Sequence, residues 1–222
     1  MKSTYKSPFN PKNFKDFKPK KIKIHTFNSG FKKKKDDLLV IEFNRTASVS
    51  SAYSKTSTPS APIIWDKKHN NGLCKLLLVN SGNANAFTGL KGVKAIEKYS
   101  GTASKLFNCQ KNKILVSSTG VIGEQLDPQK IINKLKKIPK KSSKTLLNAA
   151  KAIMTTDTYP KISVKNVILD NIRFKIFGIA KGSGMIHPNM GTMLVYIFIE
   201  ANLSKGILKK LLNNNIKNTF NS

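Results

Sequence analysis

The apolar residues of this chain are gathered into short runs, and that spacing limits the folds open to it. Leu38 to Phe43, Ile63 to Trp65, Leu76 to Val79 and Ile114 to Val116 are each of strand length and bounded by turn residues. No run approaches the roughly 18 apolar residues that a membrane-crossing helix needs. The opening stretch MKSTYKSPFNPKNFK has no apolar core of the kind a signal peptide carries. The chain therefore reads as a cytoplasmic protein, with no membrane partner, whose core is made from several short strands.

Helical spacing alternates with these runs. Val93, Ile96, Tyr99, Ala103, Leu106 and Phe107 recur on one face and predict an amphipathic helix over 92–107. Two more helices are expected at 128–137 and at 143–154, the latter with Leu146, Leu147, Ala150 and Ile153 on one face. After Pro160 the pattern returns to strands at 162–169 and 173–179, joined as a hairpin through Asp170-Asn171. A further strand is expected over 192–199, headed by Thr192. A last helix over 204–216 should bury Ile207, Leu208, Leu211, Leu212 and Ile216. Residues 1–20, with Pro8, Pro11 and Pro19, read as an irregular arm. Strands and helices mix without a strict βαβ rhythm, so the expected class is layered α+β. Neither an internal repeat nor a sharp change of composition marks a domain boundary.

Charge bears on function. Forty Lys and Arg against eleven Asp and Glu give a net charge of +29 and a pI near 10.2, which on its own suggests a polyanionic partner. Distribution argues otherwise. Arginine occurs only at positions 45 and 173, so the guanidinium forks suited to phosphate and guanine are scarce. The lysines are strewn along the whole chain. Their one tight block, Lys32 to Lys35, runs directly into Asp36-Asp37 and is expected to be a solvated loop. A nucleic-acid partner is not expected. Cys74 and Cys109 are too few for a disulfide scaffold, and together with His25, His69 and His187 they form no metal-ligand spacing.

Three Gly- and Asn-rich loops share one grammar. Asn80 to Ala86 follows Leu76 to Val79, Ser117 to Gly123 follows Ile114 to Val116, and KGSGMIHPNMGTML at 181–194 leads into Leu194 to Ile199. Each alone could be an ordinary turn. No GxGxxG, Walker A, GxSxG or HExxH pattern is present, and no histidine is placed for a triad. Chemistry here would need a nucleophile that does without histidine. A threonine whose own α-amino group is the base is one such device, created when the preceding peptide bond is cut. It requires a small residue before the threonine and a strand after it, and Gly191-Thr192-Met193-Leu194 supplies both.

These loops, in this order and with MTTDTYPK at 154–161, resemble the ornithine acetyltransferase family, also called glutamate N-acetyltransferase, of arginine biosynthesis. The segments that carry the likeness are NSGNANAFTG (80–89), SSTGVIG (117–123), MTTDTYPK and GIAKGSGMIHPNMGTML (178–194). The resemblance implies a layered αββα sandwich with mixed sheets. It also implies self-cleavage at Gly191-Thr192 into an α portion (1–191) and the start of a β portion (192–222). Thr192 would then carry an acetyl group from N-acetylornithine to glutamate. Thr119 and Gly120 would form the oxyanion hole, and Thr155 and Lys181, with Thr192, would contact substrate. No metal or nucleotide cofactor is implied, although acetyl-CoA serves some members as donor. The expected assembly is a heterotetramer of two α and two β chains.

The chain departs from the family pattern in three places. Gly191 stands where the family usually has alanine, which should still permit cleavage, at a lower rate. Ile199-Glu200-Ala201-Asn202 replaces a threonine- and aspartate-bearing end of the strand. Family members are also considerably longer after the cut, where a whole second subunit follows. The expectation is an α portion with a short piece of β, whose isolated form transfers little or no acetyl group.

Overall fold

A computed structural model describes residues 17–139, 144–182 and 192–220. Two sheets and five helices make up this part. Strands β1 (Ile22–Phe27), β2 (Leu38–Ser48), β3 (Leu73–Asn83) and β4 (Ile114–Val121) form a mixed sheet in that order. The first three pair antiparallel, while β3 and β4 run parallel, joined by a crossover that contains helix α2 (Gly89–Leu106). Strands β5 (Lys161–Leu169), β6 (Ile172–Lys181) and β7 (Leu194–Ile199) form a second, antiparallel sheet.

Both faces of the first sheet are covered, which is why its strands read as continuous apolar runs. Leu38, Val40, Leu76, Leu78, Ile114 and Val116 face α1 (Ala61–His69), α2 and α3 (Pro128–Leu135). Their neighbours Leu39, Ile41, Leu77, Val79 and Leu115 point the other way. There they meet α4 (Leu146–Ile153) and Phe177, Ile179 and Phe198 of the second sheet. Helix α4 touches strands of both sheets, and its Leu146, Ala149, Ala150, Ala152 and Ile153 have no exposed surface. A capping box between Thr145 and Asn148 starts it. The α+β class agrees with the sequence reading.

Several local expectations change. Ile63 to Trp65 is helix, not strand: Pro62 occupies the first turn of α1, and Ala61, Pro62, Trp65 and Asp66, two pairs four apart, bury while Ile64 stays exposed. A run of three apolar residues cannot reveal its period. Strand β1 lies just past the expected N-terminal arm; its IKIHTF pairs with β2 from Ile22↔Phe43 to Phe27↔Leu38. The last helix, α5 (Lys205–Ile216), buries none of its residues: Ile207 and Leu211 are exposed, and Leu208, Leu212 and Ile216 are half-buried. The expected hairpin does form through Asp170 and Asn171, whose φ values of 49° and 61° suit a primed two-residue turn.

Candidate active site

The parallel pairing of β3 and β4 brings two of the three loops side by side. Ser81 is opposite Thr119 and Gly82 opposite Gly120. The approach is closer than side chains allow. A Cβ on Gly120 would lie 2.6 Å from the Asn83 nitrogen, and one on Gly82 would lie 2.8 Å from the Phe31 carbonyl oxygen. Glycine is required at both positions, and both have φ above +100°. The asparagines of the first loop are occupied in holding it. Asn80 accepts from Ser118 at 2.6 Å and donates to the Asn83 carbonyl at 2.7 Å, while Asn83 donates to the Glu124 carbonyl.

Lys181, the last residue of β6, reaches this point from the second sheet. Its side chain is buried, and Nζ donates to Thr119 Oγ1 at 3.1 Å and to the Thr192 carbonyl at 3.0 Å. Burial lowers the ammonium from its ordinary value, with Asp157 opposing that shift and Lys161 adding to it. Thr119 is itself buried, whereas Gly120 and Thr192 are exposed. Thr119 from the second loop and Lys181 and Thr192 from the two ends of the third therefore meet at one ammonium group.

Strand β7 begins at Leu194, opposite Lys181, and not at Thr192 as expected. The reason lies in its partner. Beyond Lys181 the Gly182 N–H turns to Asp157 Oδ1 at 2.8 Å, so Gly182 does not carry the ladder on to Met193. Thr192 sits just outside the ladder, held by its carbonyl. Gly191, the other half of the expected scissile bond, lies outside the described residues.

Thr155 follows the end of α4, with Met154 as the C-cap. It is half-buried and its N–H donates to Asp157 Oδ2 at 3.3 Å, while Thr156 is exposed. Thr155 is past a helix C-terminus, so it does not cap a helix N-terminus. Asp157 itself was missed as a site residue, although it stands in the quoted MTTDTYPK. It joins the Thr155 segment to the Lys181 segment, and Lys161 Nζ pairs with it at 2.6 Å. Burial alone would raise its carboxyl. The Lys161 ammonium and the N–H groups of Gly182 and Thr155 outweigh that and hold it below the usual carboxylate range. A lone aspartate four residues before a lysine was the available signal, since that spacing suits an ion pair.

The lysine block departs from its expected solvation in one member. Lys33, Lys34 and Lys35 are exposed, but Lys32 is half-buried and donates to the carbonyls of Met154 at 2.6 Å and Ala152 at 3.2 Å. Nothing in four consecutive lysines distinguishes the one that turns inward. Among the described residues no three His, Cys, Asp or Glu side chains come together in a way that could hold a metal. The site can present a hydroxyl, an ammonium and a backbone to an anionic or carbonyl-bearing molecule. That chemistry suits acyl transfer.

Comparison with known proteins bears on the family and the fold. The ArgJ family pattern matches residues 23–222. The chain is 39% identical over 220 residues to the arginine biosynthesis bifunctional protein ArgJ of Rhizobium meliloti, covering 97% of this chain and 53% of that one. It is 40% identical over 204 residues to the protein of the same name from Brucella suis, covering 90% and 49%. Thus the chain spans about half the length of the curated relatives it matches. Among solved structures, the arginine biosynthesis bifunctional protein ArgJ of Bacillus halodurans superposes with a TM-score of 0.70 at 31% identity, over 79% of this chain and 92% of that one. Ornithine acetyltransferase of Mycobacterium tuberculosis, complexed with ornithine, shares the fold with a TM-score of 0.63 at 21% identity, over 79% and 94%. On the sequence matches, the chain belongs to the ArgJ family.

Proposed function

We propose that this chain carries the nucleophile side of an acetyltransferase of arginine biosynthesis, moving the acetyl group of N-acetylornithine to glutamate through acetyl-Thr192. The observation that carries this reading is the Lys181 ammonium bridging Thr119 Oγ1 and the Thr192 carbonyl. A lysine has donors only, so Thr119 must accept, and its hydroxyl hydrogen is left to point at a third atom. That atom is the oxyanion of an acyl-transfer intermediate. The Gly120 N–H is the second donor, and each such donor is worth roughly 3 kcal/mol.

The Thr192 hydroxyl attacks the Gly191 carbonyl, the peptide C–N bond breaks to give an ester, and water hydrolyses that ester to leave a Gly191 carboxylate and a free Thr192 amine. This amine, with an ordinary pKa near 8, then takes the hydroxyl proton as Thr192 attacks the acetyl carbonyl of N-acetylornithine. The tetrahedral intermediate collapses, its amide C–N bond breaks, and the amine returns the proton to the departing ornithine nitrogen. Glutamate reverses the sequence through its own α-amine. Lys181 and Thr155 contact the substrate, whose carboxylate finds a cation in Lys181.

The cleaved α and β portions, as two copies of each, form the working assembly, located in the cytoplasm. Intact mass tests the reading. The expected products are pieces of 191 and 31 residues (222 − 191 = 31); because this chain by itself is expected to transfer little acetyl group, acetylation of the smaller piece after N-acetylornithine, and its loss after glutamate, is read as a fractional mass shift. A wild-type protein that stays whole and takes up no acetyl group overturns it.

A further inference from the structure

Lys32 is the one member of the lysine block that turns inward. Asp37 is fully buried, and its carboxylate accepts from the N–H groups of Ser29 at 2.7 Å, Gly30 at 3.1 Å, Phe31 at 2.7 Å and Lys32 at 2.8 Å, and from the Ser29 hydroxyl. Five donors on one carboxylate fix the loop between β1 and β2. The fixed loop turns Lys32 inward while Lys33 to Lys35 remain in solvent.

The Lys32 ammonium ends at the C-terminus of α4, where a cation is favoured by the unpaired carbonyls. It donates to Met154 O at 2.6 Å, to Ala152 O at 3.2 Å and to Asp36 O at 3.4 Å, so its three hydrogens are taken. The Ser81 hydroxyl closes on the same Ala152 carbonyl at 2.5 Å. Burial lowers this ammonium to about 8, which leaves it mostly charged at neutral pH. Met154 immediately precedes Thr155, and Asp157 then ties that turn to Gly182 beside Lys181.

We propose that Lys32 is a positioning residue for the acetyl-transfer site: it clamps the Met154 carbonyl and so fixes the Thr155–Asp157 turn against the Lys181 segment. With no donor to spare, it acts through that turn and not on substrate. The inference rests on the acetyl-transfer reading for its effect on substrate, but its effect on the turn can be measured without activity.

The test compares Lys32→Met, Lys32→Arg and, as an exposed control, Lys33→Met by amide hydrogen exchange and by steady-state kinetics. Lys32→Met should speed exchange at Thr155 to Asp157 about tenfold while β3 and β4 are unaffected, and raise KM for N-acetylornithine about tenfold with kcat little changed. Lys32→Arg should restore most of both, since its guanidinium can still reach two carbonyls, and Lys33→Met should change neither. Unchanged exchange at Thr155 in Lys32→Met overturns the proposal. So does faster exchange throughout the chain, which marks general destabilisation, or a fall in kcat at constant KM. If the wild-type protein transfers no acetyl group, the enzymatic reading fails by itself and the exchange result alone decides whether Lys32 positions the turn.

Discussion

Lys181 and Thr119 lie 62 residues apart in sequence and meet inside the molecule, Nζ to Oγ1, at 3.1 Å. The contact joins the second sheet to the end of β4 in the first, and it fixes which way the threonine hydroxyl can donate. A surface lysine would contribute a diffuse charge; this one orients a hydrogen.

Replacing Thr119 by valine keeps its shape and removes both the acceptor for Lys181 and the donor for an oxyanion. Acetylation of Thr192, followed as single-turnover uptake of acetyl from N-acetylornithine, should slow about 10²-fold. Thr119→Ser should retain most of the rate. An undiminished rate in the valine variant would remove Thr119 from the mechanism.

Gly120→Ala should damage the fold as well as the chemistry. Its Cβ would overlap the backbone of Gly82 and Asn83, and φ at this position is +135°. Separation of β3 and β4 at their shared end should cost about 1–3 kcal/mol, read as a lower midpoint in urea unfolding. An unchanged midpoint would mean that the strand ends part freely.

Asp157 is buried, paired with Lys161 and held below the usual carboxylate range. A lowered folded-state pKa stabilises the fold above the unfolded value near 4, and that stability is lost as pH falls through the lower, folded value. Asp157→Asn should therefore be less stable than wild type at pH 7, by about 1–3 kcal/mol. The two proteins should converge below pH 4. Thermal unfolding across pH 2–7 measures this, and a constant gap would contradict it.

Asp66, on α1, titrates in the opposite sense. Burial against the apolar face of the first sheet raises its carboxyl to about 8, opposed by one N–H, that of Val116 at 3.0 Å. A raised folded-state pKa gives stability that is complete below about pH 4 and is lost as pH rises through about 8. Asn keeps an acceptor for Val116 and never ionises. In urea unfolding at a series of pH values from 4 to 8, Asp66→Asn should match wild type near pH 4 and exceed it by at least about 1 kcal/mol at pH 8, and a difference that stays flat with pH would contradict this.

Much of the first sheet was legible because local pattern and burial agree there. Leu38 to Ile41, Leu76 to Val79 and Ile114 to Val116 are apolar at consecutive positions because helices cover one face and α4 with the second sheet covers the other. The helix over α2 was equally clear, since Ile96, Tyr99 and Ala103 bury at helical spacing. Short or two-sided signals failed. Three residues at 63–65 could not show a period, and Ile207 to Ile216 had helical spacing without a surface to pack on among the described residues.

The sequence by itself determined the class and the family, and it singled out Thr119, Gly120, Thr155, Lys181, Gly191 and Thr192 as the expected site residues, because those depend on residue identity and order along the chain. Tertiary structure alone decided that Lys181 touches Thr119, that Asp157 ties the Thr155 turn to Gly182, and that Lys32 leaves a solvated block to hold the end of α4. The physical reason is the same in each case. A lysine or aspartate carries no record in its neighbours of which distant carbonyl, hydroxyl or N–H will satisfy it, and burial, which makes that partner necessary, exists only once the sheets have closed.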